Sequence, residues 1–129
     1  MTILLVNNNR DEVGVFGEAL QRVDPSIAFE FANDGADAYR FLTQNPDRLP
    51  GLIVVDETGF PFLEKVRRNS NFTNIPVTVY TTSTNPDDID ASIAYGASFL
   101  PKPNSYFTLV KLLKKRLARL KELAAEGKS

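Results

Sequence analysis

Three side chains carry most of the chemistry this sequence offers. Asp56 directly ends the apolar run Leu52–Val55, Thr81 follows Ile75–Tyr80, and Lys102 lies just past Ala97–Leu100. A carboxylate nucleophile, a hydroxyl and an ammonium group can together accept a phosphoryl group. The carboxylate attacks, and the lysine and hydroxyl hold the transferred oxygens. The same residues serve equally as a structural ion pair closing the top of a sheet, and spacing alone does not choose. Much other chemistry is excluded. The chain has no histidine and no cysteine, which removes histidine-dependent triads, HExxH zinc sites, thiolate metal sites and disulfides. The loop after the first apolar run reads NNNRDE, not GxGxxG, and no GxxxxGK[ST] occurs. A dinucleotide fingerprint and a P-loop are therefore lacking. A flavin-phosphate loop rich in glycine and hydroxyls is lacking as well.

The elements that must position these residues follow from the hydrophobic pattern. Thr2–Val6, Ile27–Ala32, Leu52–Val55, Ile75–Tyr80 and Ala97–Leu100 read as short strands, several apolar throughout, as in a sheet buried on both faces. Helical patterns lie between them. Asn9 caps the first, with Glu12 placed to close a capping box, and Asp24-Pro25 ends it. Asp34 caps the second and Asn45-Pro46 stops it; a third spans about Pro61 to Arg68. Asn85-Pro86 opens the fourth and Gly96 ends it. Asn104 or Ser105 caps the last, which runs to about Ala125. Strands alternating with crossover helices predict one α/β domain, a doubly wound five-stranded parallel sheet with five helices, over residues 1–125. Residues 126–129 are expected to be a frayed tail. Working residues in such sheets lie beyond the carboxyl ends of the strands, where Asp56, Thr81 and Lys102 fall.

Composition narrows the partners. No apolar run approaches the roughly 18 residues of a membrane span, and the first residues lack the basic region of a signal peptide. A cytoplasmic protein without a membrane partner is expected. The net charge of −1 hides an asymmetry: residues 1–110 hold 8 basic and 14 acidic residues, and residues 111–129 hold 7 and 2. Leu112, Leu113, Leu117, Leu120 and Leu123 interleave with the basic residues, so they read as the solvated face of an amphipathic helix. No nucleic acid partner is expected.

The segments ILLV-NNN, GLIVVD, IPVTVYTTS, AYGAS and FLPKPNS closely resemble the receiver domain of bacterial response regulators, the phosphoaccepting module of two-component signalling. The resemblance extends from about Thr2 to Leu123. YTTSTNPDDID and LPKPNS are most similar to single-domain, chemotaxis-regulator-like members that work beside phytochrome-type and other sensor kinases. It implies strand order 2-1-3-4-5. It implies Asp56 as phosphoacceptor, Thr81 as the switch hydroxyl and Lys102 as the lysine that pairs with the phosphoryl group. It implies Phe99 as the aromatic switch position and a cis bond before Pro103.

Two departures bear on function. The family's acidic pair after the first strand, which helps bind Mg²⁺, reads Asn7 and Asn8 here. Magnesium is anchored by carboxylates, and amides bring no charge. The loop after Asp56 is also several residues shorter than the family's. Thr58, whose carbonyl would help ligate the metal, is therefore displaced from its usual setting. Glu57 is adjacent to Asp56 and should point away from it on an extended segment. The expected protein is a non-enzymatic response regulator receiver. It contacts a sensor histidine kinase or other signalling protein, binds Mg²⁺ weakly or not at all, and is impaired in phosphorylation at Asp56. It is expected to be a monomer or weak homodimer. The alternatives are a fully competent phosphoacceptor and, more remotely, a small flavodoxin-like ligand-binding domain.

Overall fold

The computed structural model describes residues 1–127. Five parallel strands form one sheet in the order β2-β1-β3-β4-β5. They are β1 (Thr2–Val6), β2 (Ala28–Ala32), β3 (Leu52–Val55), β4 (Val77–Thr81) and β5 (Ser98–Pro101). The helices are α1 (Arg10–Val23), α2 (Gly35–Gln44), α3 (Phe60–Arg68), α4 (Pro86–Ala94) and α5 (Tyr106–Gly127). A single 3-10 turn, Glu57–Gly59, joins β3 to α3. The last helix thus continues two residues past the boundary expected at 125; residues 128 and 129 lie outside the described residues.

Strand periodicity divides the core in two. Leu4, Val6, Ile53, Val55, Val77 and Val79 face the side covered by α2 and α3, where Leu42, Leu63 and Val66 pack on them. Ile3, Leu5, Leu52, Val54, Tyr80 and Leu100 face the side covered by α1 and α5, through Phe16, Leu20, Leu113 and Leu117. Successive side chains of a strand point to opposite faces, so β1 and β3 must be apolar at every position. The edge strand β2 is largely exposed, and there glutamate and phenylalanine alternate.

Helix boundaries follow the caps. Asn9 Oδ1 accepts from the amides of Asp11 and Glu12, Asp34 Oδ1 from Asp37, and Asn85 Oδ1 from Asp87. Each satisfies a donor the helix leaves unpaired. Gly96, just past α4, has φ +69°, the left-handed conformation that glycine reaches without a Cβ clash. Two strands sit slightly later than the pattern predicts. Pro76 has no N–H to donate, so β4 begins at Val77 and takes in Thr81. β5 likewise runs to Pro101. Thr81 is thus the last residue of its strand and Lys102 the first residue beyond its own, and the Lys102 amide donates to the Thr81 carbonyl at 2.9 Å.

Candidate functional site

Asp56, Thr81 and Lys102 all lie at the carboxyl edge of the sheet, at the ends of the three neighbouring strands β3, β4 and β5. Among the described residues none of the three side chains pairs with another of the three: Asp56 bonds Thr58 and Thr81 bonds Glu57. The Lys102 ammonium binds Glu12 instead, at 2.9 and 3.0 Å from its two carboxylate oxygens. Lys102 and Asp56 form no ion pair; the lysine's salt-bridge partner is Glu12. Its side chain is only 17% exposed, and the ammonium also stands 5.5 Å from the centre of the Tyr80 ring, a cation–π distance.

Glu12 reaches Lys102 because the expected capping box does not close. The Asn9 amide is already taken by Asn7 Oδ1 at 2.7 Å. Glu12 instead accepts from Asn7 Nδ2 at 2.7 Å. The buried Asn7 therefore has both ends of its amide engaged, the oxygen by Asn9 and the nitrogen by Glu12. Asn8 is exposed. Burial pushes the Glu12 carboxyl up, but hydrogen bonds from Asn7 and Lys102, with the lysine's charge, outweigh it and leave the carboxyl below its ordinary value. The Tyr80 phenol is pushed up to about 12, by burial first and then by the Glu12 charge.

Asp56 caps the 3-10 turn. Its Oδ1 accepts from the Thr58 amide at 3.0 Å and from the Thr58 hydroxyl. Thr58, expected to lend a carbonyl to a metal, thus contacts Asp56 through its amide and hydroxyl. Glu57 opens that turn, so the extended geometry expected of it does not hold, and its carboxylate stays in the site. Val55 pairs with Val79 at the last rung of the β3–β4 ladder, and the 3-10 turn that Glu57 opens lies just beyond it. The fully buried Thr81 hydroxyl donates to Glu57 Oε2. Phe99 lies on β5 opposite Val79, half-buried against the α2–α3 side of the core. The expected cis bond before Pro103 is a correction: no described peptide is cis. The trans isomer is the cheaper one at any X–Pro bond by about 0.5–1 kcal/mol, and the chain enters α5 without the turn a cis bond would make.

Sequence reasoning thus missed two site residues, Glu12 and Glu57. Strand parity was the available signal for Glu12. Leu100 faces α1, and Lys102, two residues on, continues on that side, where Glu12 stands in the first turn of α1. The donor set for a divalent cation is sparse. Among the described residues no group of three or more aspartate, glutamate, histidine or cysteine side chains is placed to hold one.

No family model matches the chain. It is 33% identical over 100 residues to Response regulator Rcp1 of Synechocystis sp., covering 70% of this chain and 67% of that protein. The chain belongs to the response regulator receiver family. This receiver is also 29% identical over 113 residues to the probable methanogenesis regulatory protein FilR2 of Methanothrix harundinacea, covering 81% of this chain and 73% of that one. A crystal structure of the Mn(2+)-bound form of Rcp1 superposes with TM-score 0.77 at 28% identity, covering 88% of this chain and 89% of that chain. The phosphorylated cyanobacterial phytochrome response regulator RcpA gives TM-score 0.79 at 26% identity over the same shares of the two chains. The receiver is therefore a two-component signalling domain, and the expected strand order and helix count hold. Among the described residues no helix is long and apolar enough to cross a membrane.

The Glu12 network has a pH signature. A carboxyl held below its ordinary value stabilises the fold above the usual glutamate range, and that contribution is lost as pH falls through the folded-state value, below about pH 4. Glu12 is 39% exposed at its side chain, so solvent screening keeps the contribution small, a few tenths to about 1 kcal/mol. Urea midpoints measured at pH 7 and pH 3 should therefore differ less for Glu12→Gln than for the unmodified receiver.

Proposed function

We propose that this receiver signals in the cytoplasm chiefly through protein contacts, with phosphorylation at Asp56 impaired and Mg²⁺ bound weakly. The observation that carries the reading is the pairing of Lys102 with Glu12. The cation that would meet a phosphoryl group on Asp56 is already held by another carboxylate. Asn7 and Asn8 supply no charge toward a metal, and the Asn7 oxygen is bonded to the chain's own backbone. Of the three positions at which the family has carboxylates, here Asn7, Asn8 and Asp56, only Asp56 carries one. These residues do not fit a divalent cation in the family's arrangement. The receiver carries out no turnover of its own and is a monomer or weak homodimer. Its partner is a sensor histidine kinase or another signalling protein.

The contact surface proposed is α4, β5 and α5. The exposed Lys111, Lys114 and Lys115 give α5 a basic face, and the exposed Asp87 and Asp90 give α4 an acidic one. Such charges set association rate and specificity more than affinity. A competent phosphoacceptor is the second reading. It is favoured by Asp56, Thr81 and Lys102 sharing one sheet edge, and by RcpA, a similar protein, having been solved phosphorylated.

The two readings separate on treatment with acetyl phosphate and Mg²⁺, followed by intact mass. Losing a clamp on developing phosphoryl charge costs ~10²–10³ in rate. The unmodified receiver should therefore accumulate Asp56 phosphate on the order of 10²-fold more slowly than the Asn7→Asp, Asn8→Asp double variant, which should also bind Mg²⁺ more tightly. Rapid labelling of the unmodified protein at millimolar Mg²⁺ would establish the competent reading. For the surface, Lys114→Glu with Lys115→Glu should change the association rate with a cognate kinase and its salt dependence; an unchanged salt slope would remove α5 from the interface.

A further inference from the structure

The contact between Glu57 and Thr81 continues into α4. The Thr81 hydroxyl donates to the Glu57 carboxylate and accepts from the Ser83 amide at 3.0 Å. The Ser83 hydroxyl donates to Asp88 Oδ2 and accepts from the Asn85 amide at 3.2 Å. Asn85 caps α4, and Asp88 lies in its first turn. Each hydroxyl accepts from an amide and donates to a carboxylate, giving two short relays, Ser83 N–H to Thr81 to Glu57 and Asn85 N–H to Ser83 to Asp88, joined covalently within Ser83. A carboxylate can only accept. Glu57 therefore turns the Thr81 proton toward β3 and leaves the Thr81 lone pairs for Ser83. The loop between β4 and α4 is ordered from one end by Glu57 and from the other by the α4 cap.

We propose that Glu57 is a positioning residue that makes, on Thr81, the contact the family gives to a phosphoryl oxygen, and through Ser83 fixes the first turn of α4. The α4 surface is then set by the chain itself while Asp56 is unmodified. Lys102, the other phosphoryl-contacting group, is likewise satisfied internally, by Glu12. Both contacts are made by glutamates, which sit on elements different from the acidic pair lost at Asn7 and Asn8. Glu57 reaches Thr81 from the first position of the single 3-10 turn that joins β3 to α3. The proposal rests on the α4–β5–α5 reading above and adds what holds that face in place.

The test uses the full chain without Mg²⁺ or phosphodonor, so the phosphorylation competence of Asp56 does not enter. Amide exchange and ¹H–¹⁵N shifts are compared for the unmodified receiver, Glu57→Ala and Glu57→Gln. With the acceptor removed in Glu57→Ala, the Ser83 amide should exchange about tenfold faster, and the amides of Asp87, Asp88 and Ile89 should shift. Core amides such as Ile53 and Leu63 should not. Glu57→Gln keeps an oxygen in place but loses the charge, and charged acceptors are roughly twice as strong. It should show a smaller increase in the same amides. Ser83 exchange and α4 shifts identical to the unmodified protein in both variants would overturn the proposal. If Glu57→Ala fails to fold, unchanged spectra for Glu57→Gln alone would do so. Rapid phosphorylation of the unmodified receiver would instead count against the impaired-acceptor reading and leave this comparison intact.

Discussion

The functional edge of this receiver depends on where one ammonium group goes. Lys102 emerges from the end of β5 with little exposure to solvent, and a cation so placed requires a partner. It finds Glu12 on α1, backed by the Tyr80 ring and by Asn7. A half-exposed pair of this kind contributes little to stability, ~0.2–1 kcal/mol. Its importance is geometric. It commits the lysine, fixes the Asn7 amide and, through the Asn7 oxygen, shapes the turn from β1 into α1. The Asp56 carboxylate accepts from Thr58.

A second carboxylate is placed by backbone economy. The chain passes from β3 to α3 in three residues of 3-10 turn. Gly59 allows it: a Cβ there would lie 2.9 Å from the Val55 Cβ, closer than carbon atoms pack. The turn can thus fold back against its own strand, with Glu57 at its first position in contact with the end of β4.

Most of the fold was legible because its signals are local. LIVV can only be a strand buried on both faces, and Asn85-Pro86 and Gly96 bracket α4 by cap chemistry alone. The strand ends placed Asp56, Thr81 and Lys102 at one edge. The pairing among them was not legible, because it depends on which neighbouring element supplies a competing carboxylate. Glu12 looked like half of a capping box, and that reading failed when Asn7 took the Asn9 amide first. Glu57 was read as lying on an extended segment, but it opens a 3-10 turn, and its bond to Thr81 depends on a neighbouring strand that its own sequence does not name. The trans bond at Pro103 departs from the family pattern, and a single X–Pro sequence does not encode its isomer.

The central claim is that Lys102 belongs to Glu12 and not to Asp56. Two double-mutant cycles measured by urea denaturation at pH 7 decide it, one pairing Lys102→Met with Glu12→Gln and the other pairing Lys102→Met with Asp56→Asn. The account predicts a favourable coupling of about 0.5 kcal/mol or more in the Glu12 cycle and additivity within about 0.3 kcal/mol in the Asp56 cycle. Coupling between Lys102 and Asp56, with Glu12 additive, would contradict it.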